Sequence, residues 1–396
     1  MATAIVDLEY DRLPSELAGL TGYDYALILI RLRRRPVGQV RLPVINGRIS
    51  GMALRASLLE AVDWTFWEVW LHQYLDWEER FTGTYKPPTA TVATCTRDRT
   101  DDLERLLNGL MQMPDDGQEI LVVDNCPATD ATQRLVERYP RARYVREPVP
   151  GLNNARNRAL REAQHDIVAF IDDDAVPDPG WLRNLLCNYE DPLVMSVNGL
   201  TMPLEIETKA QEWFERYGAF QRGFQQRVFE KAFANPLDAG VCGAGVNMSF
   251  RRCVLDLVGP FDPALDTGTP TRSGGDNEMF SRVLAAGYRI VYDPAALSWH
   301  RHRRAWDELR QLLYNYGVGV VAAWVRTLVE EQDSNALSII WNWIYTKQLR
   351  ELFYALRGQP SSLPAELLLA QLRGSLAGPW AYLRARRQVS NQQIPD

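Results

Sequence analysis

The sequence predicts an α/β protein with a mostly parallel central sheet. From Thr89 to Ile171, short β-rich segments alternate with segments of helical spacing, and this order predicts right-handed βαβ units. Charged clusters follow three of the predicted strands, at the carboxyl ends where the sites of parallel sheets lie. After His300 the chain is rich in Trp, Leu and Arg at helical spacing, which indicates a helical C-terminal region.

The first 85 residues predict an extension made of a β-hairpin and a helix. Two β-rich runs between residues 23 and 45 meet at RRRPVG, which is a hairpin signal. The next segment has helical spacing and carries Trp64, Trp67 and Trp70. We expect these three side chains to pack in a core, with ligand stacking as the alternative. The segment FTGTYKPP, which contains two prolines, then predicts a linker.

Four predicted strands and three predicted helices open the main domain, which we place at residues 86–302. The strands are TATVATCT, EILVVDN, ARYVREP and DIVAFI, and the helices are DDLERLLNGLMQ, DATQRLVERYP and NARNRALREAQ. Residues 303–396 form the predicted helical region. Between Arg301 and Asp396 there are twelve Lys or Arg and eight Asp or Glu. These helices could therefore lie on an anionic membrane surface or pack on the main domain.

The composition excludes several classes of protein. Hydrophobic residues make up 46% and charged residues 24%, which is typical of a soluble globular protein. The net charge of -6 argues against nucleic-acid binding, which usually requires a basic face. Five scattered cysteines without a CxxC pair indicate free thiols in a reducing compartment. The N-terminus has no apolar core and no run of about twenty apolar residues occurs, so we expect a cytoplasmic protein.

Three consecutive carboxylates, Asp172, Asp173 and Asp174, directly follow the predicted strand DIVAFI. Like charges side by side repel, and a bound cation would compensate them. The alternative is a solvated acidic loop or a helix N-terminus, where Asp is common. Other charged clusters follow neighbouring strands, which favours a site. Mg²⁺ or Mn²⁺, with its preference for oxygen ligands, is the expected cation.

Basic residues at the same edge of the sheet suit the phosphates or the base of a nucleotide. These are Arg97 and Arg99 in CTRDR and Arg156 in GLNNARN. Asp124, which closes the apolar run LVVD, could accept hydrogen bonds from a ribose or a base. Simpler interpretations exist, because Arg97 or Arg99 could be a surface charge and Asp124 a helix cap. Together they predict a nucleotide pocket with a metal at its mouth.

The second half of the domain offers three further candidates. The Gly-rich segment DAGVCGAGVNMSFRR contains Gly245 and lets backbone approach a ligand closely, although it could equally be a buried strand with a tight turn. Asp276, in SGGDNEMF, is either a helix N-cap or a general base. His300, in WHRH, is either structural or a contact of a diphosphate or metal.

Several motifs in this order resemble those of the family 2 glycosyltransferases, over about residues 88–302. They are TVATCTRDR, EILVVDN, REPVPGLNNARNRAL, FIDDDAVPDPGWL, GVNMSFRR, VGPFDPAL and GGDNEMFSRVLAAGY. The resemblance implies a GT-A fold with a Rossmann-like, mostly parallel sheet. It also implies metal-dependent, inverting, hexosyltransferase-type transfer from a UDP-, GDP- or dTDP-sugar to a glycan or lipid-linked acceptor in polysaccharide or glycolipid biosynthesis.

The resemblance also assigns roles to individual residues. Asp276 is the implied base, and in the implied Asp-x-Asp element Asp174 is the most direct metal ligand. With His300 added from the WHRH cluster, the predicted metal ligands are Asp172, Asp174 and His300. The predicted nucleotide-sugar-binding residues are Thr96, Arg97, Arg99, Asp124, Arg156, Asp172, Asp173 and Gly245. Many members read Gly-Glu-Asp where this chain reads Gly-Gly-Asp, with Gly275 in place of the glutamate. This departure keeps the base and alters the expected acceptor contacts.

Three other functions compete with this interpretation. A sugar nucleotidyltransferase would have a Gly-rich phosphate loop after the first strand, and CTRDRTDD has no glycine. A phosphatase with an aspartyl nucleophile would have a DxDxT-type loop, and DDDAV lacks the threonine. A catalytically degenerate relative that binds only a sugar nucleotide or a partner remains the alternative to an enzyme.

Overall fold

The computed structural model describes residues 2–61, 64–75, 87–218, 220–360 and 363–392. The predicted linker FTGTYKPP lies outside the described residues except for its two prolines, and so does the predicted domain boundary after residue 85.

The N-terminal extension contains the predicted hairpin and three strands that the sequence did not indicate. Its strands are β1 (Thr3–Glu9), β2 (Glu16–Leu17), β3 (Tyr25–Leu32), β4 (Arg35–Pro43) and β5 (Ile49–Ser50). Strands β3 and β4 are antiparallel. They meet at Arg33 and Arg34, which both have positive φ (51° and 66°), as two-residue hairpin turns of the I′ type require. Strand β1 pairs in parallel with β3 and completes a three-stranded sheet.

Two helices follow, α1 (Gly51–Ala61) and α2 (Trp64–Tyr74). They confirm the predicted helical segment, but the expected core packing of its tryptophans is wrong. Trp64, Trp67 and Trp70 are 66%, 46% and 40% exposed. Phe66 is buried against the small sheet instead, with Val69 partly buried beside it. The three-stranded sheet can cover only one face of α2. The regularly spaced tryptophans lie on the opposite, outer face.

The main sheet has nine strands, of which six run in one direction. They are β6 (Ala90–Thr96), β7 (Glu119–Asn125), β8 (Ala142–Glu147), β9 (Ile167–Ile171), β10 (Ala175–Pro177), β11 (Val194–Pro203), β12 (Arg227–Phe229), β13 (Asn247–Arg251) and β14 (Arg289–His300). Their order is β10-β14-β11-β13-β9-β6-β7-β8, with β12 beside β14. The predicted α/β class with a mostly parallel sheet is confirmed.

Helices cover both faces of this sheet. They are α3 (Thr100–Gln112), α4 (Ala131–Val136), α5 (Leu152–Glu162), α6 (Trp181–Leu186), α7 (Lys209–Tyr217), α8 (Val254–Leu257) and α9 (Gly275–Ala285). Leu107 of α3 and Trp181 of α6 are buried in one core cluster. Leu160 of α5 and Phe280 of α9 are buried in another. The N-terminal sheet is attached through a third cluster that includes Leu29.

The C-terminal region is helical, as predicted. It consists of α10 (Trp306–Glu330), α11 (Asn335–Trp341), a π-helix (Asn342–Leu349), α12 (Arg350–Leu356) and α13 (Ala365–Gln392). By length and composition α10 could cross a membrane, but 56% of its apolar 18-residue stretch is buried within the protein. Helix α10 packs so closely on α13 that a Cβ at Gly317 would overlap the backbone of Gln371. A Cβ at Gly274 would likewise overlap the carbonyl oxygen of Gly319 in α10, so this helix supports the loop that precedes Asp276.

Candidate active site

The acidic triplet lies in the turn between β9 and β10, at the carboxyl edge of the sheet. Strand β10 pairs with the end of β14, so that Ala175 faces His300. The candidate ligand atoms of Asp172, Asp174 and His300 all lie within 4.8 Å of one another. Two carboxylates and an imidazole form a donor set that fits a hard or borderline divalent cation such as Mn²⁺. The sequence therefore identified three residues that the fold brings together from two distant segments.

His300 is held in a fixed orientation towards the triplet. Its Nε2 atom lies 3.0 Å from Asp174 Oδ1, and its Nδ1 atom lies 3.0 Å from His302 Nδ1. Burial and the neighbouring His300 hold the pKa of His302 well below its ordinary value, so His302 stays neutral. A neutral imidazole behind His300 leaves Nε2 directed at the carboxylates, in the manner of residues that orient metal-binding histidines.

Arg99 connects two carboxylates of the triplet, Asp173 and Asp174. Its Nη1 donates to Asp173 Oδ1 (2.6 Å), and its Nη2 donates to Asp174 Oδ2 (2.7 Å). Thr96 Oγ1 also donates to Asp173, at 2.7 Å from Oδ2. Thr96 and Arg99 thus contact the triplet as the strand-end positions predicted.

The three carboxylates differ in how readily they ionise. Burial and the charge of Asp174 raise the pKa of Asp172 to about 6, and burial raises that of Asp173 to about 7 against the opposing effect of Arg99. Burial would also raise the pKa of Asp174, but His300 and Arg99 outweigh it and hold this pKa below its ordinary value. Asp174 therefore carries the most persistent negative charge of the cluster.

Asp276 lies beside the Gly-rich segment, inside a helix and not at its cap. It is the second residue of α9, whose N-cap is Gly274, so the N-cap interpretation is wrong. Its Oδ2 accepts from the Gly245 N–H (2.7 Å) and its Oδ1 from the Asn277 N–H (2.8 Å). A Cβ at Gly245 would lie 2.8 Å from Arg156 Nη2 and 3.1 Å from Asp276 Oδ2, which explains the glycine.

A buried ion pair lies next to Asp276. Arg156 Nη1 donates to Asp266 Oδ2 at 2.7 Å, and both side chains are less than 10% exposed. Burial and the charge of Asp266 raise the pKa of Asp276, while Arg156 opposes them. The positive charge of Arg156 also lowers the pKa of Asp172, so Arg156 acts on the acidic triplet as well as on Asp276. Its predicted contact with a nucleotide stays a prediction.

Sequence reasoning missed Asp266. Its segment, LDTGTP, reads as an ordinary turn, and Asp266 has a φ of 80°. Its carboxylate fills the space beside Gly275, because a Cβ at Gly275 would lie 2.6 Å from Asp266 Oδ2 and would overlap the amide of Asn153. A glutamate at position 275 would have to displace these groups. The glycine in the Gly-Gly-Asp motif therefore accommodates the Asp266–Arg156 pair.

Two predicted residues lie apart from the acidic cluster. Arg97 is exposed, and its Nε atom lies 3.8 Å from Asp98 Oδ2. No ion pair links it to the triplet among the residues that the structure describes. Asp124 is fully buried at the end of β7, where its Oδ2 accepts from the Tyr144 hydroxyl (3.0 Å). Both remain predicted nucleotide contacts.

The chain is similar in sequence to known glycosyltransferases. The sequence model described as Glycosyl transferase family 2 matches residues 91–255. The pre-mycofactocin glycosyltransferase of Mycobacterium tuberculosis is 29% identical over 221 residues, which cover 54% of this chain and 43% of that protein. An uncharacterized glycosyltransferase of Mycobacterium bovis is 30% identical over 175 residues, which cover 44% of this chain and 71% of the relative. A solved mannosyltransferase from Pyrobaculum calidifontis, in complex with GDP-Man and Mn²⁺, covers 84% of both chains with a TM-score of 0.45 and 19% identity.

The α/β sheet with polar side chains gathered at its carboxyl edge and the sequence relatives together indicate the family of this chain. The chain belongs to the family 2 glycosyltransferases, and its mostly parallel α/β sheet is the class that the resemblance implied. The match covers less than half the length of the M. tuberculosis relative.

Proposed function

We propose that the protein is an inverting glycosyltransferase that uses a UDP-, GDP- or dTDP-sugar as donor and a glycan or lipid-linked hydroxyl as acceptor. The observation that supports this most strongly is the cluster of Asp172, Asp174 and His300, with Arg99 beside it and Asp276 held in a separate environment. The cluster suits the diphosphate end of a donor, and Asp276 suits the hydroxyl of an acceptor. We further propose that the enzyme acts in the cytoplasm in polysaccharide or glycolipid biosynthesis.

In this proposal, Asp172, Asp174 and His300 hold Mn²⁺ or Mg²⁺. The ion, when bound, offsets the charge of the departing diphosphate. Arg99 is the nearest basic side chain to the cluster, and its contacts with Asp173 and Asp174 keep it in place before a donor arrives. A fixed guanidinium can donate two parallel hydrogen bonds to phosphate oxygens. The Thr96 hydroxyl donates a hydrogen bond to Asp173. This bond holds the carboxylate in place on the side of the site where the nucleotide would bind.

Asp276 acts as the general base in the proposed displacement. The acceptor oxygen forms a bond to the anomeric carbon while the bond from that carbon to the diphosphate oxygen breaks. The hydroxyl proton passes to the Asp276 carboxylate. Each Asp276 oxygen accepts one backbone N–H, and a carboxylate oxygen has two lone pairs, so both can still receive a proton. The raised pKa makes Asp276 a stronger base than an ordinary aspartate.

A panel of donors tests the proposal. We expect at least one UDP-, GDP- or dTDP-sugar to raise the melting temperature in the presence of Mn²⁺ or Mg²⁺ and to lose most of this effect in EDTA. A ligand at a hundred times its Kd stabilises the native state by about 2.7 kcal/mol, which a thermal shift detects. The same donor should release nucleoside diphosphate when acceptors are supplied. Binding without turnover would favour the catalytically degenerate alternative, and no metal-dependent shift with any donor would contradict the proposal.

A further inference from the structure

One helical segment of the C-terminal region exposes a stripe of large apolar side chains. It comprises α11, the π-helix and α12, which continue directly into one another over residues 335–356. The exposed side chains, between 38% and 72% accessible, are Leu337, Trp341, Tyr345, Leu349, Phe353 and Leu356. We call them the apolar stripe. Single exposed apolar residues are common on protein surfaces, but six in one row are not.

The π-helix keeps these side chains on one face. In an α-helix, residues four apart differ by roughly 40° beyond a full turn, so a row with this spacing winds around the helix. A π-helix has i→i+5 hydrogen bonds and more residues per turn, which rotates the row back. The Trp341 and Tyr345 rings accordingly stack, with centroids 5.2 Å apart and planes within 8°. The apolar stripe is thus a continuous surface.

The opposite face of the segment already anchors it to the protein. Ala336 and Gln348 are buried, and the Trp343 ring packs edge-on against Trp324 of α10 with centroids 5.8 Å apart. Trp343 Nε1 also donates to Ser375 Oγ of α13, at 3.3 Å. Internal packing therefore accounts for the inner face, while no described part of the chain covers the apolar stripe.

Positive charge borders the apolar stripe. Arg350 and Arg357 are exposed on and directly after the segment, whereas Lys347 Nζ lies 4.4 Å from the centroid of the Trp343 ring on the inner face. The Arg357 guanidinium lies 4.0 Å from the centroid of the Phe353 ring. Residues 335–357 contain three Lys or Arg and one Asp or Glu, although the whole chain has a net charge of -6. The segment that exposes the apolar side chains is therefore net positive.

We propose that the apolar stripe docks this protein onto a membrane surface that contains anionic lipids. Aromatic side chains are favoured at the boundary between headgroups and acyl chains, and an adjacent basic edge is attracted to anionic headgroups. A symmetric contact between two copies of the same face would instead bring their cations together. The lipid surface is the occupant that satisfies both the apolar row and its charged border. This inference does not depend on the proposed donor chemistry.

Flotation of the full-length protein with vesicles tests the inference. Wild-type protein should float with phosphatidylcholine vesicles that contain phosphatidylglycerol, and less with phosphatidylcholine alone or at high salt. Trp341→Ser/Phe353→Ser should lower the bound fraction at least about tenfold, since it removes two large apolar side chains that the lipid would bury. The matched control is Trp67→Ser/Trp70→Ser in α2, which also exposes a row of apolar side chains. Because α2 carries Glu68 and neither Lys nor Arg, this control should leave binding to anionic vesicles unchanged.

A charge variant provides a second, independent test. Arg350→Glu/Arg357→Glu keeps the apolar stripe and should abolish the preference for phosphatidylglycerol. Wild-type protein that does not float with anionic vesicles would overturn the inference. So would stripe variants that float like wild type, or that only convert a wild-type dimer into monomers in size-exclusion chromatography.

Discussion

Asp276→Asn is expected to lower the rate of sugar transfer by roughly a hundredfold or more, while the donor still binds. Asparagine keeps the size of the side chain and one acceptor oxygen, but it cannot take the proton of the acceptor hydroxyl. The donor-side groups lie on other elements, so donor affinity should change little. Stability should fall by about 1–3 kcal/mol, because the asparagine amide nitrogen cannot accept from one of the two backbone N–H groups that now donate to Asp276. Initial rates, donor titrations and melting temperatures measure the three quantities separately.

Asp307→Asn is the matched control for this variant. Asp307 is also the second residue of a helix, α10, but its side chain is 81% exposed and lies in an ion pair with Arg310. Its replacement should leave transfer unchanged. Wild-type transfer rates in Asp276→Asn would remove Asp276 from the mechanism.

Asp174→Ala is expected to abolish metal-dependent donor binding. Asp174 is the carboxylate whose pKa is held lowest, and it contacts both His300 and Arg99. Even residues that only support a metal ligand typically contribute tenfold to a hundredfold to metal affinity, so loss of a ligand should cost at least about a hundredfold. Calorimetric titration of Mn²⁺ and donor into wild type and variant measures this loss.

Asp102→Ala is the control that separates the role of Asp174 as a metal ligand from its ion pair with Arg99. Asp102 also pairs with Arg99, at 3.0 Å, but it is not part of the cluster of candidate metal ligands. This variant should therefore retain metal-dependent binding. Wild-type donor affinity in Asp174→Ala with Mn²⁺ present would show that the cluster does not hold the metal.

The strand-end part of the site could be predicted because it depends on local patterns. Apolar runs define β6 and β9, and parallel strands bring their carboxyl ends to one edge. Thr96, Arg99, Asp173 and Asp174 contact one another for this reason. The hairpin was predictable for a similar reason, since its turn lies between two β-rich runs.

The remaining features depend on contacts that no local pattern encodes. Asp266 and Arg156 are 110 residues apart in the chain, and only the folded loop brings them together. The spacing of Trp64 and Trp67 shows that they share a helix face, but not whether another element covers that face. The same limit applied to the C-terminal helices, where the sequence left packing and membrane contact open. In the structure α10 and α13 pack together, while the apolar stripe stays exposed.

The most direct test of the proposed site is anomalous diffraction at the manganese edge, from crystals grown with Mn²⁺ and the nucleoside diphosphate of a donor that binds. We predict one strong peak within coordination distance of Asp172, Asp174 and His300, with the diphosphate next to Arg99. Nucleotide bound at another place, or bound here without manganese at these three residues, would contradict the account.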